Sequence, residues 1–151
     1  TGDSPTLVRL KAAEPASDEP LIEDLVRTLS PRFQGLRRLG RGGMGLVFVG
    51  RDPLLKRNVA IKVLAPEFAA DEAARARFVR EAQAAAAVAH PTVVNIFQVG
   101  ELHTTGSPYF VMQFIEGRTL EDEFPRGTPA SDDTARRIIA EVAAALAAAH
   151  A

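Results

Sequence analysis

Three features of this sequence could do chemistry together. The first is Leu39-Gly40-Arg41-Gly42-Gly43-Met44-Gly45-Leu46-Val47, which contains the spacing G-x-G-x-x-G. Glycine belongs where the backbone must take a positive φ, or approach a phosphate with no Cβ in the way. The second is Lys62, inside the apolar run Val59-Ala60-Ile61-Lys62-Val63-Leu64. This chain uses Arg 15 times and Lys only three times, so a lysine within such a run is informative. A lysine ammonium is a compact point charge that suits a phosphate oxygen or a single carboxylate. The third is Glu81, on one helical stripe with Phe78, Ala85 and Val88. A carboxylate on the packing face of a helix needs a cation, and Lys62 is the obvious candidate.

Each feature has a plainer reading. The glycines could form a hairpin turn with surplus glycine, or a dinucleotide loop, which requires a helix directly after it. Leu46-Val47-Phe48-Val49 follows instead, and that is strand chemistry. Lys62 could be an edge-strand lysine that discourages aggregation. Glu81 could pair at the helix surface with Arg77 or Arg80. If the Lys62–Glu81 pair is largely buried, removing one partner costs about 3–5 kcal/mol through the stranded charge.

The elements that must position these residues follow from pattern. Residues 1–18 are rich in Pro, Ser, Asp and Ala and read as a loose leader. Asp18-Glu19-Pro20 reads as a helix start, Leu21, Ile22, Leu25, Val26 and Leu29 as its stripe, and Pro31 as its end. Strands are expected over 33–39, 46–49, 59–64, 93–99 and 109–114. Alternation puts Val59, Ile61 and Val63 on one face and Ala60 with Lys62 on the other. A long Ala-rich helix is expected from Asp71 to Val88, a short one near Thr119, and a last one from Ser131 to the end. That last helix carries Ile138, Val142, Leu146 and Ala149 on one face. The order gives an α+β fold: a five-stranded antiparallel sheet with one inserted helix, then helices only.

Composition sets bounds. At 151 residues the chain is one ordinary domain or part of a larger one. The charge sum of −1 supplies no basic excess for nucleic acid. With no cysteine there is no disulfide framework, thiol nucleophile or cysteine-ligated metal, which fits a reducing, cytoplasmic setting. The longest uncharged stretch, Ala82 to Gly100, contains Gln83, His90, Pro91, Asn95 and Gln98, so it is a poor membrane span. A parent protein could still be membrane-anchored.

With these residues in place the chain resembles a bacterial, eukaryotic-like serine/threonine protein kinase. The carriers are the glycine loop, Val59-Ala60-Ile61-Lys62, Phe78-Val79-Arg80-Glu81-Ala82, His90-Pro91-Thr92-Val93-Val94, Pro108 to Gly117 and Thr119-Leu120. The resemblance covers about residues 33–151. It implies a kinase-like N-lobe over 31–115 behind a leader with a short helix, residues 1–30. The hinge exit and the first helices of a truncated C-lobe would span 116–151. It also implies roles. Gly40, Gly42, Gly43 and Gly45 would cover the ATP phosphates. Lys62 would contact the α- and β-phosphates and pair with Glu81 on the αC helix, the two forming the catalytic part of the site. Leu39, Val47 and Ala60 would pack on adenine. Met112 would be the gatekeeper, with Gln113 and Ile115 in the hinge, and Asp122 would touch ribose.

The family's His-Arg-Asp and Asp-Phe-Gly motifs do not occur here. The single Arg-Asp pair, Arg51-Asp52, follows Gly50 and reads as a turn. His90, His103 and His150 read as a loop anchor, a hairpin residue and a helix end. The expectation is an N-terminal fragment that binds ATP weakly and transfers no phosphate alone. Mg2+ and a protein substrate would belong to the complete kinase. The exposed last helix predicts self-association. The alternative is a kinase-like binding module, a pseudokinase, that acts by docking.

Overall fold

The computed structural model describes residues 18–151. The expected loose leader therefore lies outside the described residues, apart from Asp18. The chain opens with α1, Glu19–Leu29, with Pro20 in its first turn and Ser30 N–H closing on Val26 O. Strands β1 (Gln34–Gly42), β2 (Gly45–Asp52) and β3 (Arg57–Leu64) follow. Helix α2 spans Glu72–Ala86, and β4 (Ile96–Glu101) and β5 (Pro108–Gln113) complete the sheet. Helices α3 (Leu120–Glu123) and α4 (Asp132–Ala149) end the chain. The five strands lie in the order β1-β2-β3-β5-β4, every neighbouring pair antiparallel. The expected α+β architecture is therefore present.

Local chemistry starts the helices. The Asp71 carboxylate accepts from Ala73 N–H at 2.9 Å and Ala74 N–H at 3.1 Å, so α2 begins there. Thr119 and Asp122 form a reciprocal capping box on α3, and the Ser131 hydroxyl accepts from Thr134 N–H on α4. The fourth strand starts later than expected, at Ile96 rather than Val93. Thr92 and Val93 instead belong to a turn closed by Val93 N–H on His90 O.

The sheet is covered on both faces. Alternation along β3 sends Val59, Ile61 and Val63 to one side, where they meet Leu46, Phe48, Tyr109 and Val111. Leu21, Leu25 and Leu29 of α1 complete that cluster, with Leu25 fully buried. Replacing Leu25 by Ala would cost about 2–5 kcal/mol. The helix expected within a leader thus shares the core of the sheet. On the other face Leu64 and Phe110 pack against Phe78 and Ala82 of α2. Lys62 lies on this second face.

The last helix is less covered. Val142 and Leu146 are exposed, as is Ile139. Between α2 and α4 runs an open apolar groove of about 570 Å³, lined in part by Ala85, Val88, Ile138, Val142 and Leu146.

Candidate functional site

β1 and β2 form a tight hairpin. Gly42 pairs with Gly45, leaving Gly43 and Met44 as the two-residue turn. Gly43 takes φ +56°, which a glycine reaches without strain at the first position of such a turn. The turn expected across residues 40–45 is thus confined to two of them, and Gly40 and Gly42 lie in the strand. Gly45 is glycine for a different reason. A Cβ there would lie 2.8 Å from Val63 O and 3.0 Å from Lys62 Cγ. The lysine stem runs directly beneath the hairpin, and only a glycine lets it pass. A strand, not a helix, follows the glycines, so the dinucleotide-loop geometry is absent here.

Cross-strand pairs place the other expected residues. Gly40, Val47, Lys62 and Phe110 form one row across the sheet. Val49, Ala60, Met112 and Ile96 form the next. Directly opposed residues share a face, so Val47, Ala60, Lys62 and Met112 stand on one side. Leu39 is half-buried at a β-bulge in β1.

Lys62 Nζ lies 3.1 Å from Glu81 Oε1. The lysine side chain is 16% exposed and the glutamate side chain 54%. The ammonium also stands 5.9 Å from the Phe78 ring centre and 5.8 Å from that of Phe110. Those rings meet at 5.1 Å and hold the lysine stem between sheet and helix. Arg80, one of the two expected competitors, turns back to Ala76 O of its own helix. The condition for a large stranded-charge cost is not met, because Glu81 is half in water. An exposed ion pair of this kind contributes about 1 kcal/mol or less to stability.

The remaining candidates fall along the exit from β5. Gln113 N–H donates to Asn95 O at 2.8 Å, and its side-chain oxygen accepts from Asn95 Nδ2 at 3.3 Å. Ile115 is exposed beyond it. Asp122 is engaged locally, its Oδ2 accepting the Thr119 hydroxyl at 2.6 Å. Arg51-Asp52, expected as a turn, instead ends β2, and Asp52 starts the turn that follows by accepting from Leu54 N–H and Leu55 N–H, both at 3.0 Å. His90 Nδ1 lies 2.9 Å from Thr92 Oγ1, anchoring its loop. His150 caps α4. Among the described residues no group of three or more His, Asp or Glu is placed to hold a metal ion.

Among the described residues, the buried carboxylates of Asp24 and Asp18 have partners that the sequence did not single out. Asp24 of α1 accepts from Thr105 N–H at 2.7 Å, Thr105 Oγ1 at 2.8 Å and Thr104 N–H at 3.0 Å. Burial pushes this carboxyl up, but the hydrogen bonds from Thr105 and Thr104 prevail and hold it below the ordinary value. Asp18, ahead of α1, accepts from Arg38 at 3.1 Å and reaches Arg41 at 3.5 Å. Nothing in local periodicity marks these contacts. The one signal is an acidic residue at a helix start with three arginines, Arg37, Arg38 and Arg41, in the next strand.

Comparison with known proteins supplies the context for this arrangement. Residues 33–151 match the protein kinase domain. The chain is 41% identical over 125 residues to the probable serine/threonine-protein kinase PknB of Lactococcus lactis, covering 82% of this chain and 20% of that protein. It is 38% identical over 124 residues to the serine/threonine-protein kinase PrkC of Bacillus subtilis, covering 82% and 19%. The fold superposes on a crystal structure of the Mycobacterium tuberculosis PknI kinase domain with TM-score 0.61 and 33% identity. That match covers 79% of this chain and 49% of that one. The chain thus spans about a fifth of the length of these curated relatives and about half of the kinase domain.

Proposed function

The chain belongs to the protein kinase family, and on that premise we propose that it forms the ATP-holding part of a serine/threonine kinase. One observation carries the reading: Lys62 passes under Gly45 of the glycine hairpin and ends on Glu81 of α2. A cation held this way is aimed beneath the hairpin, where a phosphate oxygen would meet it.

The residues present fit an adenine nucleotide. The hairpin of Gly40, Gly42, Gly43 and Gly45 would lie over the phosphates, and Lys62 would neutralise the α- and β-phosphates. Glu81 acts through Lys62 as a positioning residue. Val47 and the small Ala60 leave room for a flat base, beside Leu39 and Met112. The backbone at Gln113 and Ile115 would hydrogen-bond its edge, and Asp122 would touch ribose through the oxygen its cap leaves free. ATP supplies the transferable phosphoryl group when bound.

The residues present do not fit Mg2+. No described acidic cluster could hold it, and the sequence contains neither His-Arg-Asp nor Asp-Phe-Gly. Positioning and metal electrostatics supply most of phosphoryl-transfer catalysis. We therefore expect this chain alone to bind ATP weakly and to transfer nothing. Residues 31–115 serve as the nucleotide lobe and 116–151 as the start of a helical lobe. In the complete kinase the acceptor is a protein Ser or Thr. No described helix is long and apolar enough to cross a membrane.

Titration with MgATP, followed by backbone amide shifts, tests the reading. Saturable, weak shifts are expected at Gly40–Val47, Ala60, Lys62 and Met112–Ile115, and Lys62→Met should abolish them. Submicromolar affinity together with transfer to a protein substrate would overturn the expected inactivity. A second role, self-association through the exposed face of α4, is favoured by Val142 and Leu146 beside the apolar groove.

A further inference from the structure

The glycine hairpin is gripped from the face opposite the proposed nucleotide. The register of β1 against β2 passes from Arg38–Phe48 to Gly40–Val47, so Leu39 is an extra residue in a bulge. In a regular strand, residues three apart face opposite sides. Here the bulge brings Arg38 and Arg41 to the same side, opposite Phe48 and Leu46, which lie in the cluster under α1. Both guanidinium groups reach Asp18 Oδ2. Arg41, between the first two glycines of the hairpin, also pairs with Glu67.

The connections matter because of where they lead. Asp18 is 3% exposed, and among the described residues its Oδ1 has no hydrogen-bond partner. It sits at the head of α1, which is itself fixed by Leu21, Leu25 and Leu29 and by Asp24 on Thr104 and Thr105. Glu67 lies in the short 3-10 turn Pro66–Phe68 that joins the strand of Lys62 to the helix of Glu81. A single side chain thus ties the hairpin to α1 and to the connection that carries the Lys62–Glu81 pair. Ala65 N–H on Met44 O, at 2.9 Å, fixes the same junction through backbone.

We propose that Arg41 is a positioning residue: clamped by Asp18 and Glu67, it sets the height of the glycine hairpin over the nucleotide. The inference rests on the nucleotide reading given above, because the hairpin must have something to cover. Charge-assisted hydrogen bonds to a buried carboxylate are strong enough to bias a two-strand hairpin, whose tip is otherwise free to lift. The helix ahead of the sheet is then part of the nucleotide site although it touches no nucleotide.

Amide hydrogen exchange and MgATP titration of the 151-residue chain test this, with Asp18→Asn, Glu67→Gln and Arg41→Lys. In Asp18→Asn, exchange at Gly42–Gly45 should rise about tenfold, the weight of one charged hydrogen bond, while β3 and β5 amides hold. MgATP affinity should fall with it, and Arg41→Lys, which keeps the charge but not the fork, should lie between. Glu67 is 48% exposed, so Glu67→Gln keeps the fold intact and should loosen the hairpin by a smaller factor. Unchanged hairpin exchange in Glu67→Gln, with Asp18→Asn either unchanged or unfolded, would overturn the proposal. So would a looser hairpin with unaltered MgATP affinity. Absence of any MgATP response in the unsubstituted chain would overturn the nucleotide reading itself, and the loop exchange separates that failure from failure of the clamp.

Discussion

Lys62 and Glu81 meet at 3.1 Å across the gap between β3 and α2, and they meet unequally. The lysine stem is enclosed by Gly45, Phe78 and Phe110, whereas the carboxylate stands in water. The pair therefore aims a cation more than it holds the fold together.

That asymmetry separates stability from binding. Glu81→Gln should lower stability by about 1 kcal/mol or less, a small shift in a thermal melt. The same substitution should weaken MgATP binding, because Lys62 loses the group that aims it. A loss of several kcal/mol with unchanged nucleotide binding would assign Glu81 a purely structural role.

Gly43 and Gly45 of the hairpin should fail for different reasons. Gly45→Ala places a methyl 2.8 Å from Val63 O, which cannot move without parting β2 from β3. Overpacking of this kind costs about 1–3 kcal/mol, and it should displace the Lys62 stem as well. At Gly43 nothing lies within 4 Å of the added Cβ, so Gly43→Ala meets only the strain of φ +56°, about 1–2 kcal/mol. Denaturant melts give both costs, and amide shifts at Lys62 should change only for Gly45→Ala.

Asp24 supplies a pH dependence with a definite sign. Its carboxyl is held below the ordinary value in the folded chain, so the folded state binds its proton less readily than the unfolded state. The stabilisation is fully present above the ordinary carboxylate range, near pH 4, and is lost as pH falls through the folded value. Asp24→Asn should cost about 2 kcal/mol at neutral pH and should flatten the acid limb of a melting-temperature profile. An acid limb that keeps its slope in Asp24→Asn would show that other carboxylates carry it.

The half-exposed face of α4 along the groove predicts association that grows with concentration. Leu146 and Val142 are each about half exposed, at 53% and 52%. Leu146→Asp should give a monomer in sedimentation at concentrations where the unsubstituted chain self-associates. A monomeric unsubstituted chain at high concentration would remove the self-association reading.

Much of the site was legible without coordinates. Alternation in Val59–Leu64 is a two-residue property, and it alone placed Ala60 and Lys62 on one face. Asp71, Thr119 and Ser131 start their helices because capping is satisfied within three residues of sequence. Less legible was how deep the Lys62–Glu81 pair would lie. Helical spacing put Glu81 on the stripe of Phe78, but the stripe has an edge, and only the approach angle of α2 decides which residue occupies it.

By itself, then, the sequence determined the order of elements, the faces of the strands, and the glycine, lysine and glutamate of the proposed site, because each follows from spacing over a few residues. Beyond the Lys62–Glu81 pair, tertiary structure alone decided which charges meet. With 15 arginines in the chain, no local rule selects Arg38 and Arg41 as the partners of Asp18, or Glu67 as the second partner of Arg41. That choice depends on a bulge at Leu39 and on α1 covering the far face of the sheet. Both arise from packing between segments distant in sequence, which periodicity does not record.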